Sequence, residues 1–280
     1  MHYPEIDPVI VALGPLAVRW YGLAYLAAFA VCWYLGKWRA QRSAAWTREQ
    51  LSDLVFYGAL GAVLGGRLGY VLFYGFDALA RDPMILVRIW DGGMSFHGGL
   101  LGVVAAMALF ARLRKRSFWR VTDFVAPLVP IGLGFGRLGN FANTELPGRM
   151  SDVAWAFIYP CKADAIRAIN PLCTGAWEPF ARHPSPLYQA FAEGVVLFAL
   201  VWWAAARPRP AGFVSGVFLT SYGGLRLLTE RFREPDGHLG YLAMDWVTMG
   251  DLLSLPMAIV GILVMVWAAL RPQDHSKIAR

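Results

Sequence analysis

Seven apolar segments, at roughly residues 16–36, 53–75, 94–111, 121–141, 186–206, 212–230 and 246–270, constrain this chain more than any motif does. At ~1.5 Å rise per residue, each reaches across or nearly across a ~30 Å hydrocarbon layer if helical. Inside lipid a segment must satisfy its own backbone hydrogen bonds, and a helix does so without a partner. The sequence therefore predicts an all-α integral membrane protein with seven transmembrane helices. Composition agrees: 57% of the 280 residues are hydrophobic and only 16% are charged, against about a quarter charged in soluble domains.

The fourth segment contains Pro127, Pro130, Gly132, Gly134, Gly136 and Gly139. Proline removes a backbone donor and clashes with the preceding turn, so a broken or kinked helix is expected there. Lysine and arginine set the expected orientation. Connections 37–52, 112–120 and 207–209, with the tail from Arg271, carry fourteen basic residues; the opposite loops carry eight, and the first thirteen residues none. The positive-inside rule then puts the N-terminus outside and the C-terminus in the cytoplasm. The net charge of +7 is thus distributed by membrane side, which points to the lipid bilayer and away from nucleic acid as a partner. No basic leader precedes the first apolar segment, which is expected to stay as a span rather than be cleaved as a signal. Pro4, Glu5 and Pro8 predict a short non-helical lead-in. Residues 142–185 are rich in proline and aromatics and too long for a plain loop. They are expected to form a small extracytoplasmic head on a single membrane-embedded domain spanning 1–280.

Cys32 falls in the first span, where a buried inert thiol is the ordinary outcome. Cys161 and Cys173 share the outward loop, an oxidising setting in a bacterial periplasm. A bridge between them is a hypothesis; three free thiols on denatured, unreduced protein would rule it out.

An arginine at the centre of a membrane helix costs at least ~2.5–3.5 kcal/mol on insertion scales. Near a helix end it can instead snorkel to the headgroups. Depth separates the two cases. With odd-numbered spans running inward, Tyr21, Arg67, Tyr70, His97, Arg137, Asn140, Tyr188, Tyr222, Arg226 and Glu230 all fall in the outer half of the membrane. Snorkelling does not gather polar groups at one depth across six helices; a polar cavity facing the extracytoplasmic leaflet does. Tyr222, Arg226, Glu230 and Arg233 are spaced four, four and three apart, on one helix face, so Arg226 and Glu230 can pair. A structural ion pair would explain that much. Helix packing would explain Gly136 and Gly139, but not Arg137, Asn140 and Asn143 beside them. A lone histidine is more often structural than catalytic; what makes His97 a candidate is its depth and its flanking Gly92, Gly93, Gly98 and Gly99. No HExxH, paired CxxC, GxSxG or nucleotide-binding glycine loop occurs, and the five histidines are scattered.

The run Gly136-Arg137-Leu138-Gly139-Asn140-Phe141-Ala142-Asn143-Thr144-Glu145-Leu146-Pro147-Gly148-Arg149 closely resembles the signature of prolipoprotein diacylglyceryl transferases. Arg19-Trp20-Tyr21-Gly22, Gly65 through Tyr70, Trp90 through Gly99, Arg182-His183-Pro184-Ser185 and Tyr222 through Asp236 are similar to other segments of that family, in its order, over essentially the whole chain. The resemblance implies a bacterial inner-membrane enzyme with seven spans and an extracytoplasmic head. It implies transfer of sn-1,2-diacylglycerol from phosphatidylglycerol to the lipobox cysteine of a preprolipoprotein signal peptide, the first step of lipoprotein maturation. A thioether forms, glycerol phosphate leaves, and no metal or organic cofactor takes part. By position, the resemblance implies that Arg137 and Arg226 handle phosphate and that His97 is a candidate general base. Asn140, Glu145 and Gly148 match further functional positions. Tyr21, Tyr222, Glu230 and Arg233 match positions tied to activity or lipid binding, and Arg67 matches a basic residue of the lipid site. Tyr70 and Asn143 complete the binding candidates. The chain departs from the pattern at Gln189, where glutamate is expected, and at Pro147, where an aromatic is frequent.

The chemistry suits these residues. Displacement at a saturated glyceryl carbon expels a phosphate ester, which guanidinium groups bind in a charged, bidentate fork. In a water-poor cavity, stabilising charge on that leaving group is expected to be the largest catalytic term. The thiol, of pKa ~8.5, needs a base or a positive field to ionise. His97 could take its proton, or Arg137 and Arg226 could favour the thiolate without a dedicated base. Glu145 and Glu230, once paired, suit the orientation of arginines better than proton abstraction. A transporter would call for inverted repeats with broken helices in both halves, but only one span is interrupted. A lipid-binding scaffold would explain outer-leaflet arginines, but not the Asn140, Asn143 and Glu145 cluster.

Overall fold

The computed structural model describes residues 1–13, 16–43, 45–89, 92–235 and 240–271. Trp90, Asp236, Lys277 and Arg280 of the sequence reading lie outside them. The chain forms two compact units: Met1–Leu35 with Val125–Gln273, and a second built from Gly36–Phe124.

The lead-in is non-helical, and it is organised. Strands β1 (Val9–Leu13) and β2 (Leu16–Arg19) pair antiparallel, with Val11 opposite Val18 and Val9 opposite Arg19. Helix α1 (Trp20–Gln41) starts only after β2. Residues 16–19, expected to open a membrane helix, are therefore strand. A short apolar run has no periodicity that separates strand from helix, and valines suit a strand.

The second unit holds α2 (Arg48–Tyr74), α3 (Phe76–Arg81), a 3₁₀ turn at Pro83–Leu86, α4 (Phe96–Leu113) and α5 (Phe118–Val125), whose last residue opens the other unit. Thr47 and Gln50 close a capping box on α2, and the Ser95 hydroxyl accepts from the Gly98 N–H at 3.2 Å to start α4. Glycines let α2 and α4 touch backbone to backbone: a Cβ built on Gly65 would lie 2.8 Å from the Gly102 Cα, and one on Gly69 would lie 2.8 Å from the Gly98 Cα. At the opposite end of this unit Trp46 stacks on Phe124 at 4.1 Å, with the Arg116 guanidinium 4.6 Å above the Trp46 ring.

The first unit continues with α6 (Val129–Ala142), α7 (Asp164–Ile169), α8 (Ser185–Gln189), a π-helical turn at Ala190–Val196, α9 (Leu197–Ala205), α10 (Phe213–Glu230) and α11 (Met249–Leu270). Helices α5 and α6 meet at a 45° bend around Pro127, the break expected from the prolines. Leu197, Val201, Val214 and Ala126 form an apolar core against which Leu133 and Tyr222 pack. A separate small core of Tyr3, Tyr159 and Ile166 joins the N-terminus to residues 157–166. Burial pushes the phenols of Tyr3 and Tyr159 above their ordinary values.

Cys161 and Cys173 are disulfide-bonded, closing a loop of sequence separation 12. A short loop of this kind removes about 3 kcal/mol of chain entropy from the unfolded state. A thiol titration of denatured, unreduced protein is accordingly expected to find one reactive cysteine, Cys32; finding three would remove the bridge.

Among the described residues, four stretches are long and apolar enough to cross a membrane: Arg48–Tyr74, Phe96–Leu113, Ser185–Ala205 and Met249–Leu270. The bent α5–α6 pair makes five. All seven apolar segments are largely helical, but α1 and α10 do not reach the same apolarity. Helix α1 is rich in Trp and Tyr, and α10 carries Thr220, Tyr222, Arg226, Thr229 and Glu230. The fold is thus a mostly helical, multi-pass membrane architecture with a two-stranded N-terminal hairpin.

Candidate active site

Within the first unit, α6, the π turn and α10 bring together groups that are far apart in sequence. Gly134 of α6 lies against Gly194 of the π turn so closely that a Cβ on Gly194 would sit 2.8 Å from the Gly134 Cα. One turn along α6, Arg137 Nε donates to Glu193 Oε2 at 3.1 Å. Glu193 is completely buried. Its other oxygen makes no hydrogen bond among the described residues, but it stands 3.9 Å from Arg226 Nε of α10. Tyr222, one turn before Arg226 on the same helix, packs against the apolar core.

Arg226 Nη1 in turn donates to Glu230 Oε2, the i,i+4 pair read from the sequence. Arg233 Nη1 approaches the same oxygen at 3.9 Å. Glu230 Oε1 accepts from the Thr248 hydroxyl at 2.6 Å. Thr248 also caps α11, and the first turn of that helix lies so tightly on Glu230 that a Cβ on Gly250 would meet the carboxylate. Three guanidiniums (Arg137, Arg226, Arg233) face two carboxylates (Glu193, Glu230) in a largely buried cluster. Guanidinium groups of this kind can bind a phosphate ester in a charged, bidentate fork.

A second group sits where α6 ends. Asn140 Nδ2 and Asn143 Nδ2 donate to the two oxygens of Glu145, at 2.6 and 3.1 Å. Thr144 and Leu146 take positive φ (57° and 54°) to turn the chain this sharply. Glu145, expected to pair with an arginine, is held by these two amides, whereas Glu230 pairs with Arg226. Tyr21 packs on Gly139, where a Cβ would come within 2.6 Å of its ring, and its hydroxyl lies 3.1 Å from that of Tyr25. Gly148 passes between two backbones: its N–H donates to the His183 carbonyl at 3.1 Å, and it bridges to Arg233. A Cβ there would meet the His183 carbonyl and lie 2.7 Å from that of Phe232. No side chain has room at this position. Buried Arg182 ties this stretch together, donating to Glu178 at 2.9 Å, to Glu234 at 3.0 Å and to the Gly148 carbonyl at 3.2 Å. His183 Nδ1 lies 3.1 Å from the Tyr188 hydroxyl, and burial pushes the imidazole below its ordinary value, toward the neutral form.

Arg67, Tyr70 and His97 belong to the second unit. Buried Arg67 donates from Nε and Nη2 to the Ile85 carbonyl (2.9 and 2.5 Å) and from Nη2 to that of Arg88 (2.7 Å). Its Nη1 donates to the carbonyls of Gly92 and Gly93. These donors tie the carbonyls of Ile85, Arg88, Gly92 and Gly93 to one guanidinium. Gly93, at φ 78°, fits beneath the Tyr70 ring, where any Cβ would clash. His97 is exposed in the first turn of α4, with its ring 5.7 Å from that of Phe96.

Sequence reasoning missed Glu193, Thr248 and Gly250. For Glu193 a signal was present: a carboxylate inside an apolar span is by default a functional candidate. It also passed over the state of Gln189, which is fully buried with neither amide atom hydrogen-bonded among the described residues.

Among known proteins, the family model described as Prolipoprotein diacylglyceryl transferase matches residues 8–267. A protein of Chromohalobacter salexigens named phosphatidylglycerol–prolipoprotein diacylglyceryl transferase is 52% identical over 276 residues, 99% of this chain and 97% of its own length. Proteins of the same name from Vibrio cholerae (52% over 280 residues, 100% and 97%) and Vibrio campbellii (51% over 279 residues, 99% and 96%) are similar to the same extent. With the family matched over nearly its whole length and relatives at half identity end to end, the chain belongs to the prolipoprotein diacylglyceryl transferase family.

Proposed function

We propose that this protein transfers the sn-1,2-diacylglyceryl group of phosphatidylglycerol to the lipobox cysteine thiol of preprolipoprotein signal peptides. It acts in the bacterial inner membrane, as a seven-span protein with the N-terminus out, the C-terminus in the cytoplasm, and the site open to the extracytoplasmic leaflet. Residues 142–185 form the head above it. The observation that carries the reading is the pair Arg137 and Arg226, brought from separate helices onto one buried carboxylate.

In the reaction the cysteine thiolate attacks the glyceryl carbon that bears the phosphate ester. A C–S bond forms, the C–O bond breaks, and glycerol phosphate departs with the bonding electron pair. Arg137 and Arg226 hold the phosphate in the ground state and gain most as its charge rises. Glu230, fixed by Thr248 and α11, orients Arg226, while Arg233 adds charge from the next turn. Glu145, with Asn140 and Asn143, forms a polar wall beside Tyr21. The thiol proton passes to His97, or the arginine field favours the thiolate directly.

The test is transfer of label from acyl-labelled phosphatidylglycerol to a lipobox peptide, with a Cys→Ser peptide as control. Wild type is expected to label the cysteine peptide alone; folded enzyme that labels neither would end this reading. His97→Gln separates the two proton routes. A rate loss of about 10²-fold or more identifies a general base, and a loss under about tenfold assigns ionisation to the arginines.

A further inference from the structure

Glu193 is the charged member of the arginine cluster that no motif marks. It stands in the run Ala190–Val196, otherwise uncharged, on a turn wound as π-helix rather than α-helix. Such a turn admits an extra residue, re-aims the side chains after it, and recurs at functional sites. Here it coincides with the Gly134–Gly194 backbone contact that brings α6 close enough for Glu193 to meet Arg137. Both carboxylate oxygens face guanidiniums, Arg137 at 3.1 Å and Arg226 at 3.9 Å, and the side chain is fully buried.

We propose that Glu193 is a positioning residue for diacylglyceryl transfer, resting on the roles read above for Arg137 and Arg226. Two guanidiniums at short range repel, and a shared buried carboxylate is what keeps them together. It engages each arginine on the Nε side. The terminal amino groups of Arg137 are thereby left for the substrate phosphate, as is Nη2 of Arg226, whose Nη1 is spent on Glu230. The clamp is set before the substrate arrives, so its donors need no reorganisation as charge builds on the leaving phosphate. Glu193 touches no reacting atom in this scheme; it acts through the arginines.

A carboxylate that merely joined helices would lower the folded fraction and leave turnover per folded molecule unchanged. A positioning carboxylate separates kcat from KM. Glu193→Gln removes the charge and keeps the shape, so it raises the net positive field while releasing the pair. The expected result, per folded enzyme in the labelled-lipid assay, is a kcat lower by about 10²-fold, the scale of a misplaced catalytic group. KM for phosphatidylglycerol should stay unchanged or fall. Glu193→Asp keeps the charge but withdraws it by one methylene, and is expected to restore the wild-type KM while kcat stays at least about tenfold down. A Glu193→Gln kcat within threefold of wild type overturns the proposal, as does a loss that disappears on correction for folded protein. If Glu193→Gln does not fold, Glu193→Asp decides by the same criterion. Arg137→Ala and Arg226→Ala run alongside. If both are inactive while the Glu193 variants turn over normally, only the positioning role fails; if both are active, the phosphate-clamp reading fails and takes this one with it.

Discussion

Alanine at Arg226 is expected to lower kcat for diacylglyceryl transfer by about 10³-fold, the upper range for removing one preorganised donor from a developing oxyanion. The position counts twice. Arg226 is the partner of Glu230 and one of the two guanidiniums facing Glu193, and all three side chains are buried. Truncation therefore also strands buried negative charge, at about 3–5 kcal/mol of stability. The two losses can be told apart with Arg226→Lys, which restores the charge but not the planar fork. Lysine should recover most of the thermal midpoint and leave kcat about ten- to a hundredfold down. The measurement is transfer rate at saturating phosphatidylglycerol, normalised to folded protein, beside a thermal scan in the same detergent. Wild-type turnover in either variant would remove Arg226 from the chemistry.

Leucine at Gly65 is expected to break the α2–α4 pair, with a loss of about 3 kcal/mol or more. In lipid there is little hydrophobic gain from bringing two apolar helices together, so close van der Waals packing carries the association. Here the approach is limited by backbone: a Cβ on Gly65 would collide with the Gly98 carbonyl and lie 2.8 Å from the Gly102 Cα. No rotamer relieves that contact, because the obstacle is not a side chain. Gly58, on the same helix, has nothing within 4 Å of the corresponding Cβ position. Gly58→Leu is the matched control and should be neutral or slightly stabilising, since leucine outranks glycine in helix propensity. Equal midpoints for the two variants, by thermal unfolding or by protease resistance in detergent, would show that the α2–α4 contact does not hold this unit together.

Much of this protein could be read from patterns within single segments. Hydrocarbon thickness sets the length of an apolar run, so the seven helical stretches were legible even though only four, or five with the bent pair, meet the apolarity expected of a span. Proline has the same consequence in any helix, so the break near Pro127 was legible too. The pairing of Arg226 with Glu230 followed from helical repeat alone, because residues four apart share a face whatever lies opposite. Contacts across segments were a different matter. Glu193 reads as an isolated carboxylate in an apolar stretch until the π turn and the Gly134–Gly194 contact aim it at Arg137. Arg67 reads as a free cation until the carbonyls of the 85–93 segment converge on it. Glu145 reads as a partner for arginine until two positive-φ residues fold it back onto Asn140 and Asn143. A helix face, a kink and a span length are set by short-range sterics and by solvent, which any local window contains. The partner of a buried charge is chosen by which backbones can approach closely enough to deliver it, and that information is spread over segments more than fifty residues apart.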